Sequence, residues 1–502
     1  MSKDASSRER GHLARIPLIC TFRRCAHIGS DEIMCLNRET ASVNNLLSMS
    51  QSENEEVKRR YVICGLSTRS VGHFLLPVLG VPSACSKRDY SGVGEIVGIM
   101  ELDPERVSAM NTKLGRNIPC YRPDEFSKMV RETRPDCALV GSRDCDHAGH
   151  ILEALAHDLD VVVEKPMVIS SEECRAVLAA ERQSKGRVQV GFNMRYNPRL
   201  IAAKRFIASG SVGTITSASA EISVNTEHGA SYFYRWNRER KFSGGLSIHK
   251  ETHQFDIISW LIGDRAESLF AFGKLNYYGK DGLLRPRDAA GSPLSPEEEK
   301  KNCPYFQRHL ADKFSPSENP ATKWDPLDLP YNVQYPESRK RYIYDDEIDI
   351  EDTYSTVVRY RGGASLSFGC NFSAPFSGHR YAFNGSKGRL EINGVEATYA
   401  RQDDLVAWPT YQEMVFYPIF GGREELKVEI ASCGSHEGGD ELNQEDAFNG
   451  GKNNPPYMKD LKCFSGALDG AYAVAMGEAA WRSAADFRPY TMKELLGEHC
   501  EG

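Results

Sequence analysis

The chain has 502 residues, more than one hydrophobic core usually holds, so two domains with accessory segments are expected. Hydrophobic residues make up 40% and charged residues 26%, which is ordinary for a folded globular protein and too apolar for a disordered one. The formal net charge of −7, with no dense Lys/Arg stripe, speaks against nucleic-acid and anionic-membrane partners, and no apolar run reaches the roughly 18 residues a membrane span needs.

Residues 1–57 read as a disordered or non-essential extension: they are irregular, lack an apolar signal core, and Met49 opens a polar lead-in to the first strand. From there the pattern becomes regular. Tyr61–Cys64 is a β-prone run ending in Gly65, and Val71–Leu79 carries a helix despite Pro77. A second strand, Glu95–Met100, ends at Glu101, and Asp103-Pro104-Glu105 starts the next helix with proline in its first turn. Strands at Cys137–Val140, Val161–Val163 and Val188–Gly191 alternate with helices at His147–Ala156 and Ser171–Gln183. This alternation predicts an α/β fold, with a doubly wound parallel sheet forming a Rossmann domain over residues 58–195.

Beyond Tyr196 the texture changes to alternating strands at Ile215–Val224, Glu267–Tyr277, Thr353–Tyr360 and Ala364–Cys370, with helices at Ser247–Ile262 and Gly470–Ala484. They predict an α+β domain over 196–502 with a large, mostly antiparallel sheet. A polar, Pro-rich insertion over about 279–345 is long for a loop and reads as a functional cover. The 14 cysteines are scattered without a CxxC pair, as for reduced thiols in a cytoplasmic protein.

Gly65-Leu66-Ser67-Thr68-Arg69-Ser70 stands between a strand and a helix, where backbone N–H groups hold a pyrophosphate, although serines replace two of the glycines expected there. An ordinary βα turn is the competing reading. Glu101, ending the second strand, suits a ribose 2′-hydroxyl and repels a 2′-phosphate, favouring NAD while NADP stays open; a solvated turn acid is the alternative. Glu164-Lys165-Pro166 follows the strand ending at Val163, so Lys165 points into the crevice where open α/β sheets bind ligands.

Together with Gly244-Gly245, His253, Asp256 and Trp260-Leu261, these residues resemble the Gfo/Idh/MocA family, named for glucose-fructose oxidoreductase and inositol dehydrogenase, from about Tyr61 nearly to the C-terminus. The resemblance implies hydride transfer between nicotinamide and a hydroxyl-bearing carbon of a sugar, glycoside or polyol, with Lys165 steadying the alkoxide and His253 as acid/base. It also implies a homo-oligomer paired through the face of the second sheet. The chain departs from the family at His249, which stands in the position of a catalytic Asp, and at Ser142-Arg143, in place of a cofactor-contacting Thr-Pro pair. His249 and His253, spaced i, i+4, share a helix face, so His249 is a catalytic candidate that binds a hydroxyl, shares the proton transfer or simply packs.

His147 is placed near the cofactor or substrate, with capping by Asp146 as the competing reading for that segment. Asn193, Arg195 and Tyr196, at the domain junction, are substrate-cleft candidates, with Arg195 equally readable as a clamp between domains; Trp236 is a further substrate contact. The histidine pair also suits a metal, with Glu227, His228 or His436 as third ligand, but no compact cluster completes such a site, so none is expected. Two other functions stay open: a glycoside-cleaving enzyme that oxidises transiently and then eliminates, and a non-catalytic dinucleotide-binding sensor.

Overall fold

The computed structural model describes residues 57–83, 86–303, 326–329, 342–397, 411–428 and 435–501. The expected extension over residues 1–57 lies almost wholly outside them, as does much of the insertion. The first sheet is built from β1 (Arg59–Cys64), β2 (Gly94–Met100), β3 (Cys120–Tyr121), β4 (Cys137–Val140), β5 (Asp160–Val163) and β6 (Val188–Val190), in the order β3-β2-β1-β4-β5-β6. Every pairing is parallel. Tyr61, Val62, Ile63, Leu139 and Val163 are fully buried, as strands covered on both faces require. Strand order reverses at β1 and β4, so the carboxyl ends of β1, β4 and β5 open on one crevice.

Helices fill the crossovers: α1 over 68–78, passing through a π turn at Val71–Leu75, then α2 (Pro104–Leu114), α3 (Phe126–Thr133), α4 (Asp144–Ala156) and α5 (Ser171–Gln183). The start of α2 follows from sequence: Asp103 accepts the Glu105 N–H, and Pro104 has no N–H left to satisfy.

After α6 (Pro198–Ala208) come β7 (Ile215–Asn225), α7 (Thr226–Phe233), α8 (Leu246–His249), α9 (Thr252–Ile262) and β8 (Ala266–Lys274). Then follow β9 (Thr353–Tyr360), β10 (Ser365–Ala374), β11 (Ser377–Gly385), β12 (Gly388–Ala397), β13 (Tyr411–Pro418), β14 (Glu424–Glu425), α10 (Gly439–Asn449), α11 (Ala467–Asp486) and β15 (Tyr490–Thr491). The nine strands pair as β14-β13-β12-β11-β7-β10-β9-β8-β15, antiparallel except where β7 meets β10. In β9, Tyr354, Thr356, Val358 and Tyr360 face inward while Ser355, Val357 and Arg359 face out. The inner face meets α9, where Phe255 packs on Phe368 with ring centroids 5.0 Å apart, and α11, where Ser483 accepts the Ala271 N–H at 2.9 Å.

Two expectations are corrected. The helix expected over Ser247–Ile262 is two helices, α8 and α9, parted at Lys250-Glu251. The carbonyls that would carry a continuous helix are taken by side chains: Ile248 O accepts from the Thr252 hydroxyl at 2.8 Å and His249 O from the Lys165 ammonium at 2.9 Å. The strand expected over Glu267–Tyr277 stops at Lys274 because the buried Asp352 carboxylate gathers the N–H groups of Asn276, Tyr277 and Tyr278 instead of a strand partner.

Two distant segments return to the first sheet. Helix α10 lays Phe448 edge-on against Tyr61 and Phe74, at 5.6 and 6.5 Å. Residues 326–329 of the insertion dock on α2, with Asp328 O accepting from Lys113 at 2.7 Å and Leu329 O from Arg106 at 3.3 Å.

Candidate active site

The turn after β1 is shaped by close approach of backbones. Gly65 has φ +86°, and a Cβ on it would lie 2.6 Å from the Cα of Ser142, so this position takes only glycine. Ser67 caps α1 by accepting the Ser70 N–H at 3.1 Å, and the Ser70 hydroxyl donates to Gly141 O at 3.2 Å. The two serines that make the glycine motif degenerate thus bond the turn to itself and to the loop after β4. Thr68 and Arg69 open the helix, whose first-turn N–H groups have no intrahelical acceptors. Glu101 faces this turn: its carboxylate accepts the N–H of Leu66 at 2.5 Å and of Leu102 at 2.8 Å. A glycine-tight turn, a helix start and a carboxylate ending β2 fit a dinucleotide, with the pyrophosphate at the turn and a ribose at Glu101.

Arg69, a cofactor-binding candidate by its place in the turn, has its side chain engaged by carboxylates. Its Nε donates to Glu164 at 2.7 Å and its two terminal nitrogens to Asp440 of α10 at 2.9 and 3.0 Å, a double ion pair that uses its charge. Glu164 is thereby committed to Arg69 rather than to a ligand. His147 is also removed from the open site. It is buried, with Nδ1 2.9 Å from Pro166 O and Nε2 3.2 Å from Ser142 O, so it links the loops after β4 and β5. The hydroxyl of Ser142 meets His150 Nδ1 at 3.1 Å beside the glycine turn.

Lys165 lies at the carboxyl end of β5 with its ammonium on the His249 carbonyl. Burial, reinforced by the charge of Lys250, pulls it down to about 8. His249 is held at both ring nitrogens: Nδ1 is 2.5 Å from Asp144 Oδ2, and Nε2 is 3.1 Å from Asn237 Nδ2. An amide donor at Nε2 and a carboxylate at Nδ1 define the neutral Nδ1–H tautomer, and burial lowers the tendency of His249 to protonate despite Asp144. Trp236 and Tyr232 meet the same ring edge-on at 5.7 and 5.5 Å, and the Tyr232 hydroxyl is 2.9 Å from His228 Nε2.

His253 is the opposite case. It packs against Phe192 at 5.9 Å, and its Nδ1 is buried with no hydrogen-bond partner. Burial, then the charges of Lys165 and Lys250, hold it well below the usual imidazole range, so it is a neutral base. Because α8 and α9 are separate, the two histidines do not share one continuous helix face.

Asn193 is buried and donates to Asp440 Oδ1 at 2.6 Å. Arg195 and Tyr196 are corrected as cleft residues. Arg195 makes a bidentate pair with Asp256, at 2.8 and 2.5 Å, and also reaches the carbonyls of Lys462 and Phe464; Tyr196 is fully buried and donates to Asp446. Arg195 thus ties its segment to α9, and Tyr196 ties the next residue to α10. The sequence reading missed Asp440 and Tyr232 as parts of this assembly, and Asp144 as the partner of His249. Each meets its partner through the tertiary fold, Asp144 across 105 residues and Asp440 across 371, so no local spacing carried the signal. Among the described residues no group of three or more His, Cys, Asp or Glu is placed to hold a metal, and no helix is long and apolar enough to cross a membrane. The side chain of Glu227, one third ligand considered, lies outside the described residues.

Comparison with known proteins places these features in a family. Residues 59–192 match the model of an oxidoreductase family's NAD-binding Rossmann fold, and residues 204–492 match that family's C-terminal alpha/beta domain. YteT of Bacillus subtilis (strain 168), named as an oxidoreductase, is 38% identical over 443 residues, covering 87% of this chain and 99% of that protein. An inositol 2-dehydrogenase of Rubrobacter xylanophilus is 28% identical over 184 residues, 36% of this chain and 48% of its own length. The aldose-aldose oxidoreductase of Caulobacter crescentus, crystallised with glycerol, shares the fold with a TM-score of 0.55 and 15% identity, covering 86% of this chain and 99% of its own. With a glycine-tight turn closing β1, a lysine ending β5 and both domain models matched, the chain belongs to the Gfo/Idh/MocA family of NAD-binding oxidoreductases.

Proposed function

We propose that this protein is an NAD(P)-dependent dehydrogenase or reductase of CH–OH groups in a sugar, glycoside or polyol, with Lys165 and His253 as its catalytic residues. The carrying observation is the pairing of a buried ammonium at the carboxyl end of β5 with a buried, neutral imidazole whose Nδ1 has no partner. Leaving such an atom unpaired costs about 1–3 kcal/mol, which a substrate hydroxyl would relieve. Nicotinamide, when bound, supplies the two-electron acceptor. His253 takes the hydroxyl proton, and Lys165 stabilises the negative charge developing on that oxygen. His249, with both nitrogens occupied, holds Lys165 through its carbonyl and offers Trp236 and Tyr232 a fixed edge against which a sugar face stacks. The names of the matched relatives, an inositol 2-dehydrogenase and an aldose-aldose oxidoreductase, support the substrate class.

In the same reading the dinucleotide domain spans about 58–195, the enzyme works in the cytoplasm, where its described cysteines stay unpaired, and copies associate through the outer face of the nine-stranded sheet. The deciding assay follows reduction of added NAD or NADP by absorbance against free sugars, glycosides and inositols, after release of any bound nucleotide. Reduction with one class, abolished in Lys165→Ala and His253→Ala, is the expected result. Sugar release from a glycoside without net reduction would replace this reading with elimination chemistry. Nucleotide binding with neither turnover nor hydride exchange would leave a sensor.

A further inference from the structure

The peptides of the turn after β1 are held from two sides. The Leu66 N–H donates to Glu101 at 2.5 Å, and the Leu66 carbonyl accepts from Nε of Arg106, a residue in the first turn of α2 that is 3% exposed. A peptide unit is planar and trans, so fixing this carbonyl toward Arg106 sets the Ser67 N–H facing away from it. The position is a costly one for a cation, since it is buried and opposes the dipole at the start of a helix. Carbonyl oxygens offset that cost, and the second comes from far along the chain: Nη1 of the same guanidinium donates to Leu329 O at 3.3 Å. About two turns further along the same face of α2, the Lys113 ammonium donates to the carbonyls of Leu327 and Asp328. Leu329 is buried in the apolar cluster that contains Leu66, Val107 and Met110. Asp328 has φ +48°, a left-handed form that persists only where the surroundings impose it.

We propose that residues 327–329, docked on α2 through Arg106 and Lys113, are a positioning element of the dinucleotide turn, so that their docking and the binding of NAD(H) strengthen each other. Arg106 is the positioning residue: one guanidinium holds the turn through Leu66 and the docked segment through Leu329. With the segment in place, the guanidinium is fixed at both ends, and the peptides on either side of Leu66 keep one orientation before the cofactor arrives. Preorganisation of this kind removes an ordering cost from binding. The coupling is reciprocal, because whatever factor the docked segment adds to cofactor affinity, the cofactor adds to docking. The inference rests on the dinucleotide site alone and requires no particular substrate.

The test uses the full chain and compares wild type with Arg106→Met, Arg106→Lys and Lys113→Met. Nucleotide affinity is followed by fluorescence titration with NADH, or with NADPH where NADH does not bind. Folding is followed by circular dichroism, and docking by hydrogen exchange of the backbone amides of residues 327–329. Nucleotide should slow this exchange in wild type. Arg106→Met should bind nucleotide about 10-fold more weakly and lose the slowing, while Arg106→Lys, which keeps a charged donor, recovers part of both. Lys113→Met removes a bond to the segment and none to the turn, and should exchange faster at 327–329 with affinity lowered in the same direction. Wild-type affinity in folded Arg106→Met, exchange at 327–329 indifferent to nucleotide in wild type, or binding of neither nucleotide overturns the proposal. Should Arg106→Met fail to fold, Lys113→Met decides: weakened nucleotide binding with faster exchange upholds the coupling, and wild-type affinity rejects it. A protein that shows the coupling but oxidises no sugar or polyol loses only the dehydrogenase reading.

Discussion

Two regions four residues apart, the end of α8 and the start of α9, carry the same side chain in opposite states. His249 has a carboxylate on one nitrogen and an amide on the other, with two aromatic edges against its ring. His253 has a buried nitrogen with nothing on it. The contrast separates two uses of histidine in one site: a saturated imidazole fixes the geometry around it, and an unsaturated, neutral one is free to take a proton.

The most direct way to break the contrast is to remove the reactive side. His253→Ala and Lys165→Ala should each lower kcat by about 10²–10⁴-fold while NADH affinity, followed by fluorescence, stays near wild type; a loss confined to KM would show that neither acts in the transition state. Next in size is the clamp beneath α9. Asp256→Asn leaves Arg195 buried beside a neutral partner and should cost about 3–5 kcal/mol, read as a lowered denaturant midpoint. An unchanged midpoint would mean that α9 is positioned without it.

Glu251, between the two histidines, sharpens the comparison through pH. Both its carboxylate oxygens are buried and unpartnered, and burial raises it from the ordinary 4.5 to about 8. The folded state therefore holds this proton more tightly than the unfolded state. The associated stability is complete below about pH 4.5, declines as pH rises and is lost on passing about 8. Wild type should lose on the order of a few kcal/mol across that window, and Glu251→Gln should flatten the curve and be the more stable protein at pH 9. Parallel curves would place the Glu251 carboxyl in contact with water.

The smallest effect is expected on the saturated side. Asp144→Asn keeps the shape but weakens the hold on His249, and should lower kcat/KM by about 10-fold, mostly in kcat. An effect as large as that of His253→Ala would make His249 a reacting group after all.

Much of the frame was legible from sequence, because it depends on local pattern. Cys137–Val140 and Ser171–Gln183 form the elements expected, since apolar runs of strand length and capped helical periodicity leave little alternative. Gly65 and Lys165 were legible because a tight turn and a strand end constrain individual positions. The division of Ser247–Ile262 was not, since periodicity passes unchanged through Lys250-Glu251 and the carbonyls there are captured by a hydroxyl and by an ammonium from a distant loop.

What the sequence determined by itself is thus the alternation of strands and helices in the first sheet and the glycine-tight turn after β1, set within a few residues by backbone sterics and hydrophobic period. The tertiary structure alone decided which charges are spent and which remain. Arg69, Arg195 and His147 looked available for ligands until Asp440, Asp256 and the carbonyls of Pro166 and Ser142 were brought to them from across the chain. Burying a charge without a partner is expensive, so the fold spends these groups on one another.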